Sequence, residues 1–398
     1  MSVIIGCAQQ YTVQLHTIAR VDENDDPFPV ALMYYIGSLE GVTRVKWGRV
    51  LRDVSEAEID INLSYASPEC CEQFSNVEPR VSQIKIWRDN VQVWEGEVMQ
   101  VIETFGSPIK KIVARDILQR LEEVANTHRL WTEERIPITR IAYDVVSKNV
   151  LDPAFDTPVD SSLIMPGVVV VDSEEVTHYR RGVVVDSVAA ILRQMAQSYA
   201  LDFTVVNRSL RLQRRVTTRD VTYARLSTEH FDGDVDVVIN GLEAGVRGWA
   251  TTQRQGDSEG DDDWPGITES FLPTPPEEPD SLLSVYRYGR IDVIRHMEDM
   301  NADEADVRRA ARNAVWDRNP PPTVIRMPSS ARLSQSAPLT MDALIPGIRL
   351  DVYIVEGLCR PIRQGMRLVT VEVEWEDSGS ESVSVGLSTL SDVTGGVN

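Results

Sequence analysis

The sequence carries 61 aspartates and glutamates, five histidines and four cysteines as material for acid–base, nucleophilic or metal chemistry. Two carboxylates flanking a glycosidic bond could cleave it, one as general acid and the other as base or nucleophile. With so many acids, spacing singles out no such pair. His16, His128, His178, His230 and His296 form no HExxH motif, so each reads as a surface or packing residue. Cys7, Cys70, Cys71 and Cys359 make no CxxC pair and no zinc spacing, which points to reduced thiols. Adjacent cysteines such as Cys70 and Cys71 rarely reach disulfide geometry, and a Cys7–Cys359 bridge is the long-range alternative. No GxSxG elbow occurs. Gly241, Gly245 and Gly248 follow GxxxGxxG, which is not a phosphate-loop spacing and suits turns and bulges. Asp261, Asp262 and Asp263 lack EF-hand spacing and read as a solvated acidic loop. Trp47, Trp87, Trp94 and Trp375 lie in or beside strand patterns and suit a core or subunit interface better than a sugar platform. The expectation is therefore no catalytic, cofactor-binding or metal residue, and no cofactor.

Composition narrows the class. The 398 residues are 42% hydrophobic and 25% charged, enough apolar material for real cores and room for two to four domains. The net charge of −21 disfavours a basic nucleic-acid binder, which needs lysine and arginine in excess. Only five of the 40 basic residues are lysine. Arginine codons are GC-rich, so this usage fits a high-GC genome, and acidity with little lysine also suits a salt-adapted source. No apolar run approaches the roughly 18–20 residues of a membrane span, and Met1–Gln10 lacks the basic start of a secretory signal.

The elements that must carry any function are mostly strands. Ala57-Glu58-Ile59-Asp60-Ile61-Asn62-Leu63-Ser64 alternates without a break, the signature of a strand with one wet face. Tyr11 to Val21 alternates likewise. Ile84–Trp87 and Val91–Trp94 flank Asp89-Asn90, a hairpin turn, and strands follow at Val98–Thr104 and Lys110–Ala114. The period then becomes helical: Ile117, Leu118, Leu121, Val124 and Ala125 share a face behind Asp116 as N-cap. A second helix is expected over Ile138–Val150. A third, capped by Asp186, carries the stripe Val188, Ile191, Leu192, Met195 and Tyr199. Strands at Asp202–Val206 and Leu210–Arg214 turn at Asn207-Arg208-Ser209.

Strand patterns return at Val235–Ile239 and Gly245–Gln253. Gln255–Asp280 then holds nine acids, five prolines and no basic residue, a composition that reads as an exposed, mobile loop. A helix is expected over Ala302–Asp317, opened by Asn301 and Glu304 and ended by Pro320-Pro321-Pro322. Arg349–Val355, Leu368–Glu376 and Ser382–Ser388 are strands; in the second, Val369, Val371, Val373 and Trp375 alternate with Thr370, Glu372, Glu374 and Glu376.

The order of these features resembles the tail-hub (baseplate hub, or minor tail) proteins of long-tailed bacteriophages and related tailed viruses. The likeness rests on the hairpin Ile84–Asn90 with Val93-Trp94-Glu95-Gly96-Glu97-Val98, on Ile112–Leu118 with Leu121, and on the helix with Val188, Leu192 and Ala196 running into Leu201-Asp202-Phe203. It continues through Tyr288-Gly289-Arg290, the helix with Ala310 and Ala314, and Leu344-Ile345-Pro346-Gly347-Ile348-Arg349-Leu350 before Leu368–Glu372. The resemblance implies an α+β, mainly β chain with two tail-tube-like antiparallel β-barrels and smaller α/β domains. The first barrel would span 1–115, an α/β middle domain 116–224, and a split second barrel 225–256 and 323–392, with 257–322 an acidic, proline-rich loop and helical insertion.

It also implies a structural protein rather than an enzyme, a homotrimeric ring at the distal end of the tail in the virion, made in the host cytoplasm. The ring would join the tail tube and distal tail protein to the tip, beside tape measure and tip or fibre proteins. Two barrels in each of three chains would present six units to the tube. Viral DNA would pass without specific binding, and a channel face bearing Glu58, Asp60, Glu372 or Glu374 would repel its phosphates. The chain stops at Asn398 just past the second barrel, so no fused lysin or receptor-binding domain is expected. The competing expectations are a distal tail ring protein, a tail-associated cell-wall hydrolase and a receptor-binding module.

Overall fold

The alternating segments become strands of one sheet. The computed structural model describes residues 4–8, 10–21, 30–65, 67–126, 130–131, 135–151, 167–171, 176–177, 180–181, 186–217, 219–252, 268–271, 289–297, 304–315, 318, 322–328, 331–355, 359 and 361–390. The first half supplies β1 (Tyr11–Val21), β2 (Val30–Ser38), β3 (Val42–Val50), β4 (Glu56–Asn62), β5 (Ser82–Arg88), β6 (Val91–Glu103) and β7 (Ile109–Arg115). The second half supplies β8 (Ala224–Ser227), β9 (Asp236–Ile239), β10 (Thr323–Arg326), β11 (Arg349–Ile354), β12 (Ile362–Glu376) and β13 (Glu381–Thr389). Their order is β9-β10-β13-β12-β3-β4-β7-β6-β5-β1-β2, with β11 beside β12 and β8 beside β11. All pairings are antiparallel except β8 with β11. The chain is mainly β, and its two β arrays are one thirteen-stranded sheet joined where β12 meets β3.

Alternation explains the core. Ala57, Ile59 and Ile61 on β4, Val45 and Trp47 on β3, and Val371, Val373 and Trp375 on β12 all face inward. They belong to one hydrophobic cluster that runs through both halves. Each fully buried side chain of this size contributes roughly 1.5–3 kcal/mol, so the shared core dominates the joint. The β5–β6 hairpin turns at Asp89 and Asn90, whose φ values of 47° and 69° are those of a tight turn with two left-handed residues.

A buried ion pair ties the two halves on the core side. Arg88 of β5 donates from Nε and Nη2 to both oxygens of Glu381 at the start of β13, each at 2.6 Å. Their side chains are 1% and 0% exposed. The Tyr11 hydroxyl donates to the same carboxylate at 2.7 Å, the Ala8 amide adds a bond at 3.3 Å, and Arg88 Nη2 also reaches the Ile4 carbonyl at 2.8 Å. Burial and the Glu381 charge hold the Tyr11 phenol well above its usual range.

Helix α1 (Pro68–Ser75) lies between β4 and β5, and a second core contains the smaller elements: α2 (Leu118–Glu123), α3 (Ile138–Val146), α4 (Val188–Ser198), the strands Leu201–Val206 and Ser209–Arg214, and α5 (Glu304–Val315). Gly167–Val170 runs parallel to Ser209–Arg214. Arg247–Thr252 joins none of the large sheet's strands; it pairs with Thr268–Phe271 and with Asp292–Met297. Gly248 lies hard against α5, where a Cβ would come within 1.9 Å of the Ala311 carbonyl oxygen. No described helix is long and apolar enough to cross a membrane.

Several local expectations are corrected. Thr268–Phe271, inside the segment read as a loop, is a strand, because the neighbouring Arg247–Thr252 supplies a ladder that local composition does not reveal. The rest of 255–280, Asp261 to Asp263 included, lies outside the described residues, as do Asn301 and Asp317. Ser187, not Asp186, caps α4: its side chain accepts from the Ala190 amide at 3.1 Å. Ile117 is the N-cap of α2, with Asp116 one residue earlier still accepting from the Leu118 amide at 3.0 Å. α3 ends at Val146 and widens into a π-turn over Ser147–Leu151.

The middle unit docks where the halves meet. Asp202, fully buried, takes Arg52 Nε from the turn after β3 at 2.7 Å and Arg367 Nη1 from β12 at 3.4 Å. Arg208, at the tip of the Leu201–Arg214 hairpin, donates to Gln83 Oε1 at 2.7 Å and Glu95 Oε1 at 3.0 Å in the first half.

Two stability outcomes follow from this packing. Arg88→Met alone lowers unfolding stability by about 3–5 kcal/mol, because it strands a buried carboxylate, whereas Arg88→Met with Glu381→Leu recovers most of the loss. Urea titration of the three chains checks this, and equal losses in the single and double variants would refute it. Asp116 is wholly enclosed, and burial pushes its carboxyl up to about 6 despite hydrogen bonds from Ser55 and Leu118. The folded chain therefore holds this proton more tightly than the unfolded one. This contribution is present below the ordinary value of 3.8 and is lost as pH rises through about 6, a change of about 3 kcal/mol. Asp116→Asn should flatten that slope in thermal melts between about pH 4 and 7.

Candidate functional site

Opposite the core, the same strands carry their charges. Glu372, Glu374 and Glu376 of β12, Arg44 and Lys46 of β3, Glu56, Glu58 and Asp60 of β4, and Lys111 and Arg115 of β7 all stand on one face. The β3–β12 register places Lys46 opposite Glu374 and Arg44 opposite Glu376, while Lys46 opposes Glu58 and Arg44 opposes Asp60 on β4. Opposite charges facing each other across a ladder stabilise it modestly.

The side chains close these pairs into a network. Arg44 Nε donates to Glu374 at 2.5 Å, and its Nη1 lies 3.4 Å from Asp60 and 3.7 Å from Glu58. Lys111 Nζ donates to Glu58 at 2.9 Å, Lys46 Nζ lies 3.0 Å from Glu372, and Arg115 Nε donates to Glu56 at 3.1 Å. The Lys111 hydrogen bond and charge hold Glu58 below the usual carboxylate range, and Glu58 in turn raises Lys111. Six carboxylates face these four cations, each of which is engaged by a carboxylate; Arg326 at the edge of the same face adds a fifth cation, so the excess is one negative charge.

A groove of about 560 Å³ runs over the joint, bordered by Lys46, Glu58, Glu372 and Arg326. Two glycines keep it open. A Cβ at Gly48 would meet the Val371 carbonyl oxygen at 2.9 Å, and one at Gly386 would meet Thr370 Oγ1 at 2.3 Å.

Beneath the face lies Arg49, an arginine in a core position of β3. It donates to the Met341, Leu344 and Val93 carbonyls at 3.3, 2.9 and 3.0 Å and lies over the Trp47 ring at 5.2 Å. Burial lowers its pKa to about 10.

The structure brings Glu58, Asp60, Glu372 and Glu374 together as neighbours on this face. Sequence reading missed their partners Arg44, Lys46 and Lys111; the alternation of 42–50 was the signal for the first two. Trp47, Trp94 and Trp375 are buried and Trp87 is half-buried, so they do not assemble an exposed platform. His16 is buried edge-on to Tyr35, His230 Nδ1 accepts from the Ser227 amide, and His296 Nδ1 pairs with Thr251 Oγ1. His128 and His178 lie outside the described residues. Cys7, Cys71 and Cys359 are exposed free thiols, and no bridge joins Cys7 to Cys359. Gly241 opens a short 3-10 turn that ends before Gly245, and the pair makes no phosphate loop. Among the described residues no group of three or more His, Cys, Asp or Glu side chains could hold a metal.

No protein-family model and no curated protein matches the sequence. Solved structures do match the fold. A tail protein from Neisseria meningitidis MC58 has TM-score 0.59 at 11% identity, covering 95% of this chain and 96% of that one. The prophage MuSo2 43 kDa tail protein from Shewanella oneidensis has TM-score 0.56 at 13% identity, over 95% and 98% of the two chains. The prophage tail protein gp18 from Listeria monocytogenes EGD-e has TM-score 0.56 at 10% identity, over 96% and 95%. The chain has the fold of these phage tail proteins. Each match runs nearly end to end, so the joint of β3 and β12 lies within the matched span.

The charged network predicts a small, salt-sensitive stability effect. Arg44→Met leaves Glu58, Asp60 and Glu374 in mutual repulsion, and should cost about 1 kcal/mol at low ionic strength, shrinking in roughly 0.5 M salt. Denaturant melts at both salt levels check it; a loss above about 3 kcal/mol that ignores salt would contradict a solvent-screened network.

Proposed function

We propose that this chain is a structural tail-hub protein of a tailed virus. It forms a ring at the distal end of the tail and joins the tail tube and distal tail ring to the tip. The observation that carries the reading is the end-to-end fold match with phage tail proteins over at least 95% of the chain. The reading takes three copies per ring, so that two β halves per chain meet the tube as six units. Tape measure and tip or fibre proteins are its neighbours in the virion, and it has no catalytic role.

The face carrying Glu58, Asp60, Glu372 and Glu374 lines the DNA channel in this reading. Duplex DNA binds where lysine and arginine replace its counterions. Here Arg44, Lys46, Lys111 and Arg115 are held by carboxylates of the same sheet, and the excess charge is negative. A phosphate backbone sliding past meets weak repulsion, and these four cations are already engaged.

The test is made on virus particles from the source culture, with gold-labelled antibody and density maps of the tail tip. Gold confined to the end distant from the head, three copies, and a lumen lined by these acids are expected. Six copies would assign the chain to the distal ring instead. Gold on no particle, or a lumen lined mainly by arginine, would overturn the virion role or the channel assignment respectively.

A further inference from the structure

A second, smaller cavity of about 230 Å³ lies where the docked units meet, away from the carboxylate-rich face. Its wall carries five arginines, Arg52, Arg215, Arg295, Arg318 and Arg367, and one carboxylate, Glu243. They come from every part of the fold. Arg52 follows β3, Arg367 lies on β12, Arg215 follows the Ser209–Arg214 strand, Arg295 lies on Asp292–Met297, and Arg318 follows α5. Asp202, behind the wall, is shared by Arg52 and Arg367. Arg52 and Arg367 are thus answered by Asp202, and Arg215 donates to the Ala196 carbonyl. Arg295 and Arg318 remain, with Glu243 the one described carboxylate on the wall.

Two polar groups on the cavity wall lack a hydrogen-bond partner among the described residues. Arg295 Nε is buried and meets no hydrogen-bond acceptor among the described residues, and Ser388 Oγ, also on the wall, has no partner there. Burial and the like charge of Arg318 both lower the Arg295 pKa, as expected of two half-buried guanidiniums lying near one another. Arg318 itself is held in place through its carbonyl, which accepts from the Gly245 amide at 3.0 Å. Enclosing like charges is unfavourable unless an anion compensates them, and the planar guanidinium fork fits the oxygens of a tetrahedral oxyanion. The volume admits a small ion and excludes duplex nucleic acid.

We infer that this cavity is a binding site for a small tetrahedral oxyanion of the phosphate class, held by Arg295, Arg318 and Ser388 with Arg52, Arg215 and Arg367 around it. The bound ion braces the middle unit and the α5 unit against the β12 seam. This site is independent of the tail-hub reading.

The test uses the full chain. Thermal melts are run against rising inorganic phosphate, with sulfate as a second tetrahedral oxyanion and chloride at matched ionic strength as control. The midpoint should rise with phosphate and saturate, sulfate should act similarly, and chloride should not reproduce the rise. Arg295→Gln with Arg318→Gln should weaken the phosphate effect at least tenfold. In phosphate-free buffer the same variant should melt no earlier than wild type, because it loses a like-charge contact. Equilibrium dialysis of labelled phosphate against the wild-type chain gives an arm that needs no variant, with one ion per chain expected. No bound phosphate, an equal rise in chloride, or an undiminished rise in the double variant would each overturn the site.

Discussion

Seven cross-strand positions between β3 and β12, from Val50 opposite Thr370 to Arg44 opposite Glu376, make two halves of the sequence into one sheet. Everything else depends on that ladder. It sets Val45 and Trp47 beside Val373 and Trp375 on the inner side, so both halves drain into a single core. By the same register it sets Arg44 and Lys46 among the acids of β12 and β4 on the outer side. The two faces differ greatly in energy. Burying the apolar side chains contributes kilocalories per residue, while exposed ion pairs add about 1 kcal/mol or less each. The core holds the joint, and the charges are free to serve as surface chemistry.

Much of this was legible in the sequence. The unbroken alternation at Ala57–Ser64 and Val369–Glu376 reads directly as strands with one wet face, and the four acids on them do share that face. Asp89-Asn90 and Asn207 mark turns because their side chains tolerate left-handed backbone, as the φ values bear out. β3 was harder to see. Its inward positions are Val45, Trp47 and Arg49, and an arginine in the apolar register hides the pattern. Arg49 is acceptable there only because three backbone carbonyls and the Trp47 ring receive it, and those partners lie up to 295 residues away. The Arg88–Glu381 pair spans 293 residues and Arg52–Asp202 spans 150, distances at which no local spacing rule operates. Thr268–Phe271 fails for the opposite reason: its surroundings look unfoldable, and a ladder with another strand overrides them.

The fold's tolerance of sequence change follows from the same physics. Identities of 10–13% with the tail proteins that share this fold coexist with near-complete overlap of the chains. A sheet specified by alternation and cross-strand register asks for an apolar residue inside and a polar one outside, and many residue pairs satisfy that. Specific chemistry is concentrated where alternation cannot serve, at the buried pairs that fasten one unit to another and at the glycines that let backbones approach.

Asp202 is one of those fasteners, and it has a mechanical consequence. One enclosed carboxylate gripped by an arginine from each half acts as a three-way rivet, since any hinge between the halves would have to drag a charge out of its pair into a dry interior. Arg208 pins the same unit a second time at its hairpin tip. The units are thereby fastened into a single stiff block. In any assembly made of such blocks, compliance would reside in the seams between neighbouring copies.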